Sequence, residues 1–313
     1  MFCGIDLGGT NTVAGLVLED GKLIDSASEK TGSFKSVSDM IEVMSKHIKD
    51  MTAKSGLPLQ GIGIGAPCGN YYEGTMVSPM NLFYKGVIPL VALFKEVFPD
   101  VPVYLTNDAN AAAIGEKMYG AGKKLRDFVV ITLGTGLGSG FIVNGELVHG
   151  ANGMAGEMGH VIIKEGGRQC NCGNKGCLER YAAAEGIVQN YNEICSKHEK
   201  SATAVTVKEI FDLAVTGDEC ALETFEYTGH ILGAVLANMA HITAPSHIIL
   251  FGGIMNAGDM LLNPIRKSFE EHLMESFRNS IIVQRSALME ENIAVLGAAA
   301  LAQHHLQRKA IKF

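Results

Sequence analysis

Ile5-Asp6-Leu7-Gly8-Gly9-Thr10-Asn11, near the start of the chain, has a counterpart in Ile131-Thr132-Leu133-Gly134-Thr135-Gly136-Leu137-Gly138. The first stretch continues through Val13 to Leu18, Asp20-Gly21 and Lys22-Leu23-Ile24. The second continues through Gly140 to Val143, Asn144-Gly145 and Glu146-Leu147-Val148. Each reads as strand, Gly/Thr turn, strand, two-residue hairpin, strand, with Asp-Gly and Asn-Gly as strong hairpin signals. The predicted architecture is therefore a duplicated α/β unit. Concave Gly/Thr backbone offers N–H groups and hydroxyls to phosphate oxygens, although a lone Gly-Gly-Thr is more readily a plain hairpin. Two such turns in matching places allow a cleft between the halves to grip a polyphosphate. Neither turn runs into a helix carrying Gly-Lys-Ser/Thr, so neither is a P-loop, and the strand-like Gly140-Phe141-Ile142-Val143 excludes a dinucleotide fingerprint.

The remaining pattern alternates strands with helices, which means α/β. Helical periodicity runs over Ser36 to Lys54 and ends before Gly56-Leu57-Pro58. Ile62 to Pro67 reads as a buried strand entering a turn, Val101 to Leu105 as another, and His247 to Phe251 as a third ending in Gly252-Gly253. Tyr181 to Ser196, Val207 to Val215, Ala221 to Met239 and about Gly297 to Leu306 are predicted helices. At 313 residues the chain fits two domains. The expected division is 1–107 plus about 297–313, against 108–296 with a metal knot at 160–177.

Composition narrows the function. A net charge of −7 argues against a nucleic-acid partner. No apolar run reaches the roughly 20 residues that span a bilayer. The strand pattern begins at Phe2, leaving no expected leader. Seven cysteines, an odd number, suit a reducing cytoplasm better than a disulfide scaffold.

Three of those cysteines form Cys170-x-Cys172-x4-Cys177, with His160 upstream. Three thiolates and an imidazole fill a tetrahedral zinc shell, and a full shell makes the metal structural. Reduced thiols, or one disulfide with a spare thiol, are the plainer alternatives. Cys3, Cys68, Cys195 and Cys220 have no partner at ligand spacing. Glu157 and Glu179 flank the knot, which can hold them and His160 beside a substrate.

Asp108 ends the Val101 strand and opens an alanine-rich helix. Its plainer role is an N-cap, which Asn107 or Thr106 could equally supply. Next to phosphate-binding turns, an ionised carboxylate there can take the proton from an attacking hydroxyl. Asp6, before the first turn, either orders that turn or holds Mg²⁺, which favours one or two carboxylates plus phosphate oxygens. Gly252-Gly253 is either a backbone approach to a flat ligand or a strand–helix corner.

The chain resembles the ROK family (repressor, open reading frame, kinase) along nearly its whole length. The resemblance rests on Gly4-Ile5-Asp6-Leu7-Gly8-Gly9-Thr10-Asn11, Asn107-Asp108-Ala109-Asn110-Ala111-Ala112, Leu133 to Gly138, Gly153-x-Ala155-Gly156-Glu157-x-Gly159-His160 and Gly176-Cys177-Leu178-Glu179. Within the family the chain looks most like a glucokinase. The resemblance implies an actin-like ATPase (ribonuclease H-like) fold of two domains with ATP and sugar in the cleft between them. It implies Asp108 as catalytic base and Asn81, Asn107, Asp108, Glu157, His160 and Glu179 as sugar contacts. Gly8, Gly9, Thr10, Gly134, Thr135, Gly136, Gly252 and Gly253, with Asp6, are then the nucleotide side. His160, Cys170, Cys172 and Cys177 are the zinc ligands, with His160 also touching sugar. Expected cofactors are ATP, Mg²⁺ and structural Zn²⁺. Expected partners are sugar and ATP, without nucleic acid or membrane, and the expected assembly is a homodimer.

Two departures bear on specificity. Pro79-Met80-Asn81-Leu82-Phe83-Tyr84 stands where family kinases often have Pro-Asn-Leu followed by Gly-Trp, and Gly252-Gly253-Ile254 lacks a third glycine. Glucose is the expected acceptor. Fructose, allose and N-acetylmannosamine are alternatives, as is a non-catalytic sugar-binding regulator. Family repressors carry a winged helix ahead of this part, for which no room is expected before Asp6, and an intact Asp108 argues for catalysis. A zinc hydrolase is disfavoured by the full zinc shell. Loss of zinc is expected to weaken sugar binding and to leave the nucleotide turns unaffected.

Overall fold

The computed structural model describes residues 1–77, 84–288 and 292–311. The chain divides into two compact units. Unit 1 comprises Met1–Arg126, Gly140–Gly156 and Ala287–Phe313, and unit 2 comprises Asp127–Ser139 and Glu157–Ser286.

Unit 1 begins with β1 (Phe2–Leu7), β2 (Asn11–Val17) and β3 (Leu23–Lys30), followed by α1 (Val37–Ser55) and β4 (Gly61–Gly65). Three short strands, β5 (Gly69–Asn70), β6 (Thr75–Val77) and β7 (Val87–Ile88), form a separate small sheet. Then come α2 (Leu90–Val97), β8 (Val103–Thr106) and α3 (Asp108–Met118). The main sheet has the order β3-β2-β1-β4-β8. Its first three strands are antiparallel and β1, β4 and β8 are parallel. The next sheet is built from β9 (Phe128–Leu133), β10 (Leu137–Val143), β11 (Glu146–Leu147), β12 (His247–Phe251) and β13 (Ile282–Arg285) in the order β11-β10-β9-β12-β13. Two strands that return through hairpins, followed by parallel crossovers, recur in both sheets, which is the duplication expected from the sequence.

Physical reasons for these elements are local. Ser36 caps α1 by accepting from the Asp39 N–H at 3.1 Å, and Gly56 ends the helix at φ 67°. Met40, Ile41, Met44, Ile48 and Met51 form its buried stripe against Ile5, Leu7, Ile62, Ile64 and Leu105. Each such burial stabilises the fold by about 1.5–3 kcal/mol. The last helix, α9 (Ile293–Ile311), lies on the other face of this sheet. It comes close because Gly4 and Gly63 have no side chain. A Cβ on Gly4 would strike the Val295 carbonyl, and one on Gly63 the Ala298 carbonyl. α9 also crosses α3 at Gly115 and Gly297, where a Cβ on Gly115 would sit 3.0 Å from Gly297 Cα. This packing keeps α3 in unit 1, whereas the boundary expected at 107/108 put it in the second domain.

Unit 2 adds α4 (Glu179–Ala182), α5 (Ala184–Lys197), α6 (Val207–Val215), α7 (Glu219–Thr243) and α8 (Asp259–His272). The helix predicted over Tyr181 to Ser196 is broken at Ala183, which is extended (ψ 173°), and Ala184 N–H donates to Gly134 O at 3.0 Å. The segments without a sequence signal strong enough to read were α2, α8, β13 and the small sheet. Among the described residues no helix is long and apolar enough to cross a membrane.

Candidate active site

In unit 1 the β1–β2 turn holds Gly8, Gly9 and Thr10. Gly8 N–H donates to Asn11 O at 3.0 Å, and the Thr31 hydroxyl donates to Gly8 O at 2.7 Å, so the turn is braced from β3's end. Gly9 and Thr10 are exposed. Asp6, one residue from the end of β1, pairs with Val13 and Gly65. Burial, and secondarily the charge of Asp108, push its carboxyl up to about 7. Two acids held near one another in a poorly hydrated place suit a divalent cation, which would relieve both the desolvation and the repulsion.

Asp108 is the first residue of α3 and Asn107 is its N-cap. The Asn107 Oδ1 accepts from the Ala109 N–H at 2.8 Å, and the Asp108 Oδ1 accepts from the same N–H at 2.8 Å. The cap is thus supplied by Asn107, which leaves its Nδ2 as the group it can offer a hydroxyl. The Asp108 side chain is open to solvent, yet protein crowds it enough for desolvation to raise its pKa. The Ala109 N–H and its own N–H oppose that rise. A carboxylate with a raised pKa is a stronger base than an ordinary Asp and remains reachable by a ligand.

In unit 2 the β9–β10 turn is closed by Gly134 N–H donating to Gly136 O at 3.0 Å. It runs strand to strand, as the sequence indicated. Behind it, Gly138 N–H donates to Thr132 Oγ1 at 3.2 Å, and Leu137 N–H donates to Glu179 Oε2 at 3.0 Å. Glu179, expected only as a sugar contact, therefore also braces the β9–β10 turn. Glu179 follows Cys177 by two residues, so the turn expected to be independent of the metal knot is in hydrogen-bond contact with the segment beside it.

The knot itself brings together all four predicted ligands. The donor atoms of His160, Cys170, Cys172 and Cys177 lie within 4.8 Å of one another. Cys170 Sγ is 3.6 Å from His160 Nδ1, and Cys172 Sγ is 3.6 Å from Cys177 Sγ. A tetrahedral ion with Zn–S near 2.3 Å sets its sulfurs roughly 3.8 Å apart, so this donor set fits zinc. The loop folds this tightly because Gly173 (φ 96°) and Gly176 (φ 83°) adopt backbone that other residues avoid. His160 turns Nδ1 to the thiols and Nε2 to Glu157, whose Oε2 is 4.0 Å away. Glu157 is exposed and can also reach a ligand.

A cavity of about 680 Å³ lies within unit 2, bounded by Gly134, Val188, Phe211, Gly253 and Ile254 among others. Its size and mainly apolar walls suit the base and sugar of a nucleotide, next to the turn expected to hold phosphates. Gly252 allows this shape: at φ 114° it turns β12 into the short helix Gly253–Ala257, and any Cβ there would strike the Leu133 carbonyl. Val188 and Phe211 were not singled out in the sequence. They lie on amphipathic helices, and periodicity cannot tell which apolar residue faces a cavity and which faces the core. Asn81 lies outside the described residues.

The chain belongs to the ROK family, whose profile matches residues 2–305. It is similar to the glucokinase of Halalkalibacterium halodurans, 35% identical over 289 residues that span 87% of this chain and 86% of that protein. It is also similar to the glucokinase of Thermotoga maritima, 34% identical over 313 residues and 97% of each chain. Among solved structures, a ROK family glucokinase from Streptomyces griseus in complex with glucose and AMPPNP matches with a TM-score of 0.80 at 31% identity, covering 97% of this chain and 99% of that one. The two-domain α/β fold is that of ROK sugar kinases, an actin-like ATPase fold.

Proposed function

We propose that this protein is an ATP-dependent hexokinase-type enzyme that phosphorylates glucose at its 6-hydroxyl. The observation that carries the mechanism is Asp108: Asn107 caps α3, so the Asp108 carboxylate is not needed for the cap and is both desolvated and accessible. Kinship with glucokinases over nearly the whole chain supports the substrate.

In the reaction, the Asp108 carboxylate accepts the proton of the sugar hydroxyl as that oxygen forms a bond to the γ-phosphorus of ATP. The bond from that phosphorus to the β–γ bridging oxygen breaks, and ADP leaves with the electron pair. The N–H groups of Gly9, Thr10, Thr135 and Gly136 would hold the phosphates, since those of Gly8 and Gly134 close their own turns. Asp6 would hold Mg²⁺, which supplies charge neutralisation for the phosphates. Asn107, Glu157, His160 and Glu179 would hold sugar hydroxyls, and the cavity beside Gly253 the nucleoside. His160, Cys170, Cys172 and Cys177 would hold zinc, and four such ligands would make it structural rather than catalytic. Among the described residues no cysteine is in a disulfide, which suits the cytoplasm. We assign a homodimer as the assembly, which light scattering checks.

The deciding experiment is a coupled assay for ADP release with glucose, mannose, fructose, allose and N-acetylmannosamine, with Mg²⁺ present. Glucose should give the highest kcat/KM. A higher value on another sugar would reassign the substrate. Turnover on none would favour a sugar-binding regulator.

A further inference from the structure

Glu179 is tied to the phosphate turn by a bond that sugar binding does not require. Its Oε2 accepts from the Leu137 N–H at 3.0 Å. The same oxygen occupies the space that a side chain on Gly136 would need, 2.7 Å from an ideal Cβ there. Five residues on, Ala184 N–H donates to Gly134 O at 3.0 Å. The segment from Glu179 to Ala184 thus clamps the turn at both ends, with a side-chain carboxylate at one and a backbone amide at the other.

The segment is itself anchored to the metal knot. Leu178 N–H donates to Val161 O at 2.9 Å, and Arg180 N–H donates to Cys177 O at 3.0 Å. Cys177 pairs with Ile162 across an isolated bridge. Arg168, within the knot, donates through Nη1 to Arg180 O at 2.8 Å and to Gly186 O at 3.2 Å. The first turn of α4 therefore has little freedom, and Glu179 is held where it is by the knot rather than by its own short helix.

We propose that Glu179 is a positioning residue for the nucleotide. Its Oε2 sets the conformation of the Gly134–Gly136 turn, and its Oε1 remains available to the sugar, so that one carboxylate serves both substrates. A carboxylate has about four acceptor sites, enough for both tasks. The consequence is that the knot supports ATP binding as well as sugar binding, through Glu179. The inference rests on the kinase reading above, and its test is independent of turnover and of sugar.

The test is the affinity of AMPPNP with Mg²⁺, measured by calorimetry without sugar on the full chain carrying its metal. Glu179→Ala should weaken nucleotide binding by about tenfold, the scale of a lost hydrogen bond to a charged acceptor. Glu179→Gln keeps an acceptor oxygen for Leu137 N–H and should bind AMPPNP within about twofold of wild type while losing more affinity for glucose. Gly136→Ala should displace the carboxylate and weaken AMPPNP binding by a similar factor. The double variant Gly136→Ala/Glu179→Ala should be no weaker than either single variant, because both remove the same contact. Multiplied effects in the double variant, or unchanged AMPPNP binding by Glu179→Ala, overturn the proposal. If Glu179→Ala does not fold, the contrast between Gly136→Ala and Glu179→Gln carries the test, with equal affinities overturning it. Wild-type protein that fails to bind AMPPNP at all overturns the kinase reading instead.

Discussion

Asn107 and Asp108 share one donor, each Oδ1 lying 2.8 Å from the Ala109 N–H. Two acceptors on one N–H make the second dispensable for the helix. The sharing separates the structural role from the chemical one: Asn107 can hold α3 in place while Asp108 exchanges a proton.

Asp108→Asn should therefore not lower thermal stability at neutral pH, and should raise it by removing a desolvated charge beside Asp6, while lowering kcat by at least the 10²–10⁴-fold typical of a general base. Glucose affinity, measured by calorimetry, should largely persist. A variant that keeps more than about a tenth of wild-type kcat would reduce Asp108 to a cap. Asn107→Ala should show the opposite balance, losing about 1 kcal/mol of stability.

Asp6 gives a pH signature. Its carboxyl titrates at about 7 in the folded chain, against an ordinary 3.8. Between those values the folded state keeps a proton that the unfolded state has released, so this group lowers stability progressively as pH rises from about 4 to about 7. Asp6→Asn removes that loss. In urea unfolding without Mg²⁺, its advantage over wild type should be small near pH 4 and grow to a few kcal/mol at pH 8. An advantage that does not change with pH would show that Asp6 is ionised throughout. Because Asp108 contributes to the shift, the Asp6 effect should shrink in an Asp108→Asn background.

Elemental analysis should find one zinc per chain. Cys172→Ala should lose the metal and unfold at lower temperature, since binding of a structural ion is coupled to folding of its loop. Glucose affinity should fall because Glu157, His160 and Glu179 lose a common anchor. Nucleotide affinity should fall with it, through the Glu179–Leu137 bond. Wild-type protein without zinc, unaffected by added zinc in stability and activity, would contradict the role given to the knot.

Gly252 and Gly253 should respond differently to alanine. At Gly252, φ is 114° and the Leu133 carbonyl blocks a Cβ. Gly252→Ala should cost roughly 1–3 kcal/mol or more in stability and distort the cavity. A Cβ on Gly253 meets nothing within 4 Å. Gly253→Ala should fold normally and weaken AMPPNP binding only. Equal unfolding temperatures for the two variants would remove the distinction.

Much of this protein was determined by short-range chemistry and could be read directly. Strand–turn–strand repeats around Gly8 and Gly134 carry their own hairpin signals, so the duplicated α/β plan was legible before any contact was known. The helix predicted over Val207 to Val215 and the strand over His247 to Phe251 match in full, because their caps and apolar patterns are local. The grouping of His160, Cys170, Cys172 and Cys177 was equally legible, since three lie within one tight loop and the fourth just upstream. What only the tertiary structure decided involves groups distant along the chain. α3 belongs with α9 because Gly115 meets Gly297. The helix predicted from Tyr181 breaks at Ala183, where Ala184 bonds to Gly134. Glu179, in helix α4, reaches Leu137, the first residue of β10. Hydrogen bonds and steric contacts of this kind depend on where separate segments meet in space, and neither residue of a pair carries a mark of the other in its own neighbourhood.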